Sequence, residues 1–163
     1  MNLKSLACAA LIFAAGAASA TTTDWGPHAS IEVGFGHAEG AGASIDDIFS
    51  FSLASPTGLV AVSVANDGAN GAFDLTGGTL SLYQVGNSTA LGSVNFDSTA
   101  ISYDFGALAA GNYFYEITAT VAPTAQGGSY LVSSTLAPVP EPETYALLLA
   151  GLGAVGFMVR RRR

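Results

Sequence analysis

Hydrophobic residues in this chain recur in short runs, most of them at every second position. Phe49, Phe51 and Leu53 alternate with Ser50 and Ser52, and Val60, Val62 and Val64 alternate with Ala61 and Ser63. Tyr113, Tyr115 and Ile117 alternate with Asn112, Glu116 and Thr118, with Phe114 out of step. A period of two places successive side chains on opposite faces of an extended chain, so such runs read as strands with one apolar face. Eight candidates follow, over residues 31–35, 48–54, 59–65, 79–85, 91–96, 100–105, 112–121 and 129–136. Gly, Asn, Asp and Pro separate them at intervals of about eight to fourteen residues, the signature of a sandwich or barrel. No stretch between the two ends carries the longer period of an amphipathic helix. The pattern predicts an all-β body, a single jelly-roll-like β-sandwich with one core between two sheets.

Both ends break this pattern. Residues 1–20 carry Lys4, an apolar run from Leu6 to Ala18, and the small residues Ala18, Ser19 and Ala20, the three parts of an export signal peptide. Cleavage is expected after Ala20, with Ala18 and Ala20 as the cleavage residues and the Sec machinery as the route out. Near the other end, residues 144–159 are sixteen uncharged and mostly apolar positions, bounded by Glu141 and Glu143 before and Arg160, Arg161, Arg162 and Arg163 after. At about 1.5 Å per residue a helix of this length covers about 24 Å, against about 30 Å of hydrocarbon. Arginine snorkelling and local thinning close that gap at modest cost. Because arginine marks the cytoplasmic flank, the expectation is a transmembrane helix with its C-terminus inside and the body outside. The organisation is then a signal peptide at 1–20, an exported domain at 21–138 and a C-terminal segment at 139–163.

Charge sharpens the picture. All five basic residues lie at the ends, Lys4 at one and the four arginines at the other, so residues 21–138 hold no Lys or Arg. The same stretch carries ten carboxylates: Asp24, Glu32, Glu39, Asp46, Asp47, Asp67, Asp74, Asp97, Asp104 and Glu116. Binding to nucleic acid needs cations against phosphate, so that class is excluded. The one cysteine, Cys8, falls in the leader, where Ser5-Leu6-Ala7-Cys8 does not form a lipobox. The body therefore has no disulfide, no thiolate nucleophile and no cysteine-held metal.

Candidate chemistry in the body is thin. Asp46 and Asp47 are neighbours, so on a strand they face opposite ways and do not make a paired acid–base site; one solvated and one bonded to backbone is the plain alternative. Asn66-Asp67-Gly68-Ala69-Asn70-Gly71, with Asp74 beyond, offers oxygen ligands for calcium but too few carboxylates, and a turn explains it better. His28 and His37, with Glu32 and Glu39 close by, have no recognised ligand spacing, so no metal site is assigned. There is no Gly-x-Ser-x-Gly elbow, and any triad would need one of these two histidines. Asn87-Ser88-Thr89 matches a glycosylation sequon and reads as a loop. Trp25, Tyr83 and Tyr130 read as exposed aromatic residues that would stack on sugar rings, and core or rim packing explains them equally well. No catalytic residue and no cofactor are assigned.

The C-terminal residues carry a family resemblance. Pro140-Glu141-Pro142, the apolar run after it and the closing arginines fall in the order of the PEP-CTERM sorting signal, which this tail resembles. The resemblance implies that Pro140, Glu141 and Pro142 are recognised by an exosortase, a membrane-embedded cysteine protease of Gram-negative bacteria that removes the tail. It also implies an exopolysaccharide-producing host and a place in its extracellular matrix or on its surface. There is a physical reason for two prolines at such a site: each fixes φ and disfavours helix in the residue before it, leaving an extended peptide for a protease cleft. A second resemblance lies in Ile45-Asp46-Asp47-Ile48-Phe49, similar to the Phe-x-Asp-x-Phe motif of one PEP-CTERM group, with Asp47 and Phe49 matching and Ile45 replacing the first aromatic. The expected role is a non-enzymatic surface or matrix protein, bridged by divalent cations to itself or to acidic exopolysaccharide. A carbohydrate-binding module of the matrix is the alternative.

Overall fold

The computed structural model describes residues 18–65, 71–137 and 142–161. Nine strands follow one another: β1 (Thr22–Pro27), β2 (Ile31–Glu39), β3 (Ser44–Leu53), β4 (Thr57–Ala65), β5 (Leu75–Gln84), β6 (Gly92–Phe96), β7 (Ile101–Leu108), β8 (Gly111–Val121) and β9 (Gly127–Ala137). Helix α1 (Pro142–Arg161) closes the chain. The strands form a five-stranded sheet in the order β1-β3-β8-β5-β6 and a four-stranded sheet in the order β2-β9-β4-β7. With β1 set aside, the other eight run β2-β9-β4-β7 opposite β3-β8-β5-β6, the two interlocked Greek keys of a jelly roll. Each of the eight expected runs overlaps one of these strands.

The strand that the periodicity misses is β1. Its sequence, Thr-Thr-Asp-Trp-Gly-Pro, has one large apolar residue and ends in turn-forming types. It is held by pairing in parallel with β3, Thr22 opposite Ile48, and the register shifts between Asp24 and Gly26. Gly26 has φ of 69°, a left-handed conformation that glycine adopts without strain, and this lets the strand kink there.

Bulk is divided unequally between the two sheets. Strands β3 and β8 turn Ile45, Phe49, Phe51, Tyr113, Tyr115 and Ile117 inward, all of them buried. Opposite them, β2 presents Gly34, Gly36 and Ala38, and β4 presents Leu59, Ala61 and Ser63. Large residues against small ones fill the space between sheets without voids, and each fully buried large apolar side chain is worth about 1.5–3 kcal/mol. The small residues on β2 are required. A Cβ on Gly34 would lie 2.6 Å from the Phe49 ring, and one on Gly36 would fall on the Asp47 carboxylate and the Tyr130 ring. As a result, the large residues of β2 point to solvent: Ile31, Val33 and Phe35 are 57–62% exposed.

Helix α1 corrects the expectation of a transmembrane helix at 144–159. Among the described residues no helix is long and apolar enough to cross a membrane. α1 reaches twenty residues only by including Pro142-Glu143-Thr144 and two arginines, while Gly151, Gly153 and Gly156 dilute its apolar part. Its leucines at 147, 148, 149 and 152 are all at least 60% exposed.

Candidate functional site

The most organised group of polar side chains joins the two sheets. Asp47 on β3 is 1% exposed. Its Oδ2 accepts the Tyr130 hydroxyl from β9 at 2.6 Å, and its Oδ1 accepts the Thr21 backbone N–H at 2.8 Å. A second chain of bonds runs nearby. His28 Nδ1 donates to the carbonyl oxygen of Ala29, which can only accept. Ser134 Oγ is hydrogen-bonded to His28 Nε2 at 2.8 Å and to the Tyr115 hydroxyl at 2.9 Å. Burial pushes both phenols upward from their ordinary value near 10; at Tyr130 the Asp47 carboxylate adds to the rise, and at Tyr115 the Ser134 bond partly offsets it.

A serine beside a histidine invites a nucleophilic reading, but Ser134 is fully buried and its hydroxyl is already bonded on both sides. The pair holds the core together. Ser63 is the exception, since its buried hydroxyl has no hydrogen-bond partner among the described residues.

Other residues singled out by sequence separate in space. Asp46 is exposed while Asp47 is buried, as neighbours on a strand require. Phe49, the second residue of the Phe-x-Asp-x-Phe-like stretch, is a core ring 3% exposed. His37 lies on the outer face of β2, stacked on Phe35 at 5.9 Å, and His28 packs edge-on against Phe51. Among the described residues no group of three or more His, Cys, Asp or Glu is placed to hold a metal. Residues 66–70 of the suggested calcium loop lie outside the described residues, and Asn87 sits in an exposed turn after β5.

The aromatic set needs correction. Tyr130 is buried, and Trp25 is half-buried against Phe49 at 5.1 Å, so neither is free to meet a sugar. Tyr83 is half-buried and stacks on Phe114 across β5 and β8. Among the described residues of the sandwich, the exposed phenylalanine rings are Phe35 and Phe73, at 62% and 45%. They line a trough of about 350 Å³ together with His37, Glu39 and Ser129, over a floor that includes Gly128. A Cβ on Gly128 would collide with Leu75, so this part of the floor stays bare backbone. A second hollow, of about 340 Å³, is lined by Asp24, Ser50, Ser52, Val85 and Asn112 among others. There the Asp24 carboxylate is already engaged by the Gly26 N–H and the Ser50 hydroxyl. Sequence reasoning missed Phe35 because a ring alternating with glycines reads as a core residue.

Of the processing residues, Ala18 and Ala20 are exposed, and Ser19 between them bridges to Ile45. Pro142 is the first residue of α1, a position that its fixed φ suits. Arg160 and Arg161 end the helix, whereas Pro140, Glu141, Arg162 and Arg163 lie outside the described residues, as do residues 1–17 of the expected leader.

A β-sandwich body followed by a separate apolar tail defines the class of protein. Residues 138–163 match the PEP-CTERM protein-sorting motif. The motif implies export, sorting to the cell envelope and processing by an exosortase, which is a membrane protein. In fold, the chain is similar to the pre-peptidase C-terminal domain of a collagenase from Bacillus anthracis, with 16% identity over 70% of this chain and 94% of that one and a TM-score of 0.50. At that identity the likeness speaks for the β-domain fold alone. No curated protein matches the chain.

Proposed function

We propose that this chain is a non-enzymatic component of the surface or extracellular matrix of an exopolysaccharide-producing Gram-negative bacterium. Its leader over 1–20 is removed after Ala20 on export by the Sec machinery, and its tail is recognised at Pro140-Glu141-Pro142 by an exosortase. The observation that carries this reading is the sorting motif at 138–163 behind a body with no Lys or Arg. Among the described residues no helix is long and apolar enough to cross a membrane, so the tail is read here as a recognition element for the protease, its arginines marking the cytoplasmic flank. The Asp47 and Phe49 positions of the Phe-x-Asp-x-Phe-like stretch serve folding, one bonded between sheets and the other packed in the core.

The released body is acidic, so it repels acidic polysaccharide unless divalent cations bridge the two. Extraction from the matrix by a chelator supports that bridging; retention unchanged by the chelator refutes it. Deleting the exosortase tests the sorting role, with full-length chain accumulating in the envelope as the expected result.

The trough between Phe35 and Phe73 favours the second reading, a carbohydrate-binding module. Two exposed rings beside a carboxylate, an imidazole and a hydroxyl suit an uncharged sugar, and the missing cations disfavour an acidic one. A glycan array probed with the processed protein separates the readings. Binding to neutral sugars that Phe35→Ala and Phe73→Ala abolish favours the module, and silence across neutral sugars favours a purely structural role.

A further inference from the structure

Asp47 presents an imbalance. Its carboxylate is 1% exposed, yet residues 21–138 contain no lysine or arginine to neutralise it. A carboxylate taken out of water is costly unless a cation meets it. Tyr130 supplies one hydrogen bond, and Gly36 packs against the pair without contributing a side chain. The remaining partner of Asp47 is the backbone nitrogen of Thr21, 2.8 Å from Oδ1. Thr21 is also the residue that begins the chain once the leader is cut after Ala20.

We propose that leader removal creates the missing cation, and that Asp47 is a built-in binding site for the new N-terminus. The inference rests on the cleavage position proposed above. Hydrolysis breaks the Ala20–Thr21 peptide bond, with the water oxygen going to the Ala20 carbonyl carbon and a proton to the Thr21 nitrogen. The resulting amine, with an ordinary pKa of about 7.7–8.0, takes a further proton at neutral pH. The nitrogen already beside Oδ1 thus changes from a neutral amide with one N–H to an ammonium with three, and a hydrogen bond becomes an ion pair.

The position of this nitrogen does not depend on the leader. The Thr21 carbonyl accepts the Ile48 N–H at 2.8 Å, and Thr22 begins the parallel pairing with β3. Among the described residues, cleavage gives up two backbone bonds of Ser19, its N–H to the Ser44 carbonyl and its carbonyl from the Asp46 N–H. A precursor that keeps its leader has a neutral amide against a buried carboxylate, and its sandwich is the less stable form. That order suits a chain that folds only after crossing a membrane.

The processed protein contains no lysine, so its α-amine is its sole primary amine and can be followed without background. Reductive methylation of protein recovered outside the cell, read by mass, tests the proposal. The expected result is an N-terminus at Thr21 that reacts at least about tenfold more slowly in native protein than in urea. Asp47→Asn, which removes the charge at nearly constant shape, is expected to raise the native rate toward the unfolded one. If that variant does not fold, Tyr130→Phe, which keeps the carboxylate, takes its place. Retained protection in Tyr130→Phe supports the ion pair, and lost protection overturns it. A native Thr21 amine that reacts at the urea rate overturns the proposal and leaves the cleavage position standing. A mature terminus at any other residue overturns both.

Discussion

Tyr130 and Asp47, 83 residues apart in sequence, meet between the sheets in a 2.6 Å hydrogen bond that ties β9 to β3. Both side chains are almost fully buried. Removing one partner therefore leaves the other without a bond in a place that water does not reach. Asp47→Ala is expected to cost about 2–4 kcal/mol and Tyr130→Phe about 1.5–3 kcal/mol. In a double-mutant cycle by urea denaturation, the double variant should lose less than the sum of the two. Strict additivity would mean that the bond contributes nothing.

Gly36 is small because that bond passes beside it. A methyl group there would fall on the Asp47 carboxylate and the Tyr130 ring. Gly36→Ala is expected to destabilise by about 1–3 kcal/mol through overpacking. Gly77, with φ of 64° and open space around its Cβ position, supplies the contrast. There the cost of alanine is backbone strain alone, about 1–2 kcal/mol. Combined with Asp47→Ala, the Gly36→Ala penalty should shrink and the Gly77→Ala penalty should not.

Ser63 offers a change in the other direction. Its hydroxyl is buried on β4 without a hydrogen-bond partner among the described residues. Ser63→Ala is expected to stabilise the body by about 1 kcal/mol, since an unsatisfied buried hydroxyl carries a desolvation penalty of about 1–3 kcal/mol. Thermal unfolding of the two proteins side by side checks this.

Alkaline pH attacks the same seam. The Tyr115 and Tyr130 phenols are both raised by burial above their ordinary value near 10. The folded state therefore keeps its phenol protons at pH values where the unfolded chain releases them. The stability these groups contribute is full below about pH 10 and falls as pH climbs beyond it. Tyrosinate absorbance should show these two residues ionising only together with unfolding. Titration of every tyrosine near pH 10 in still-folded protein would contradict the burial.

Much of the architecture is legible in the linear pattern because period-two alternation is a local property. The runs around Phe49–Leu53 and Tyr113–Ile117 reveal β3 and β8 without reference to any other part of the chain. Facing is a different matter. Val60 and the residues Ile31, Val33 and Phe35 look like core positions, yet the residues buried on β4 include Leu59, Ala61 and Ser63, and those on β2 are Gly34, Gly36 and Ala38. The choice is made by the large rings of the opposite sheet, which strand alternation cannot see. Strand β1 stayed hidden for a related reason: a parallel pairing with β3 makes it a strand, not its own composition. The sorting tail was readable because Pro-Glu-Pro, an apolar run and terminal arginines are contiguous. The adjacency of Asp46 and Asp47 signals only that one of the two carboxylates turns inward; that its partners are Tyr130 and Thr21 is long-range and has no local sign.

The central claim is that an exported sandwich is freed from its tail, and intact-mass measurement of the protein found outside the cell tests it most directly. The account predicts one species beginning at Thr21 and ending near Pro140, absent from a strain without exosortase. Recovery of chains that still end at Arg163 would contradict it.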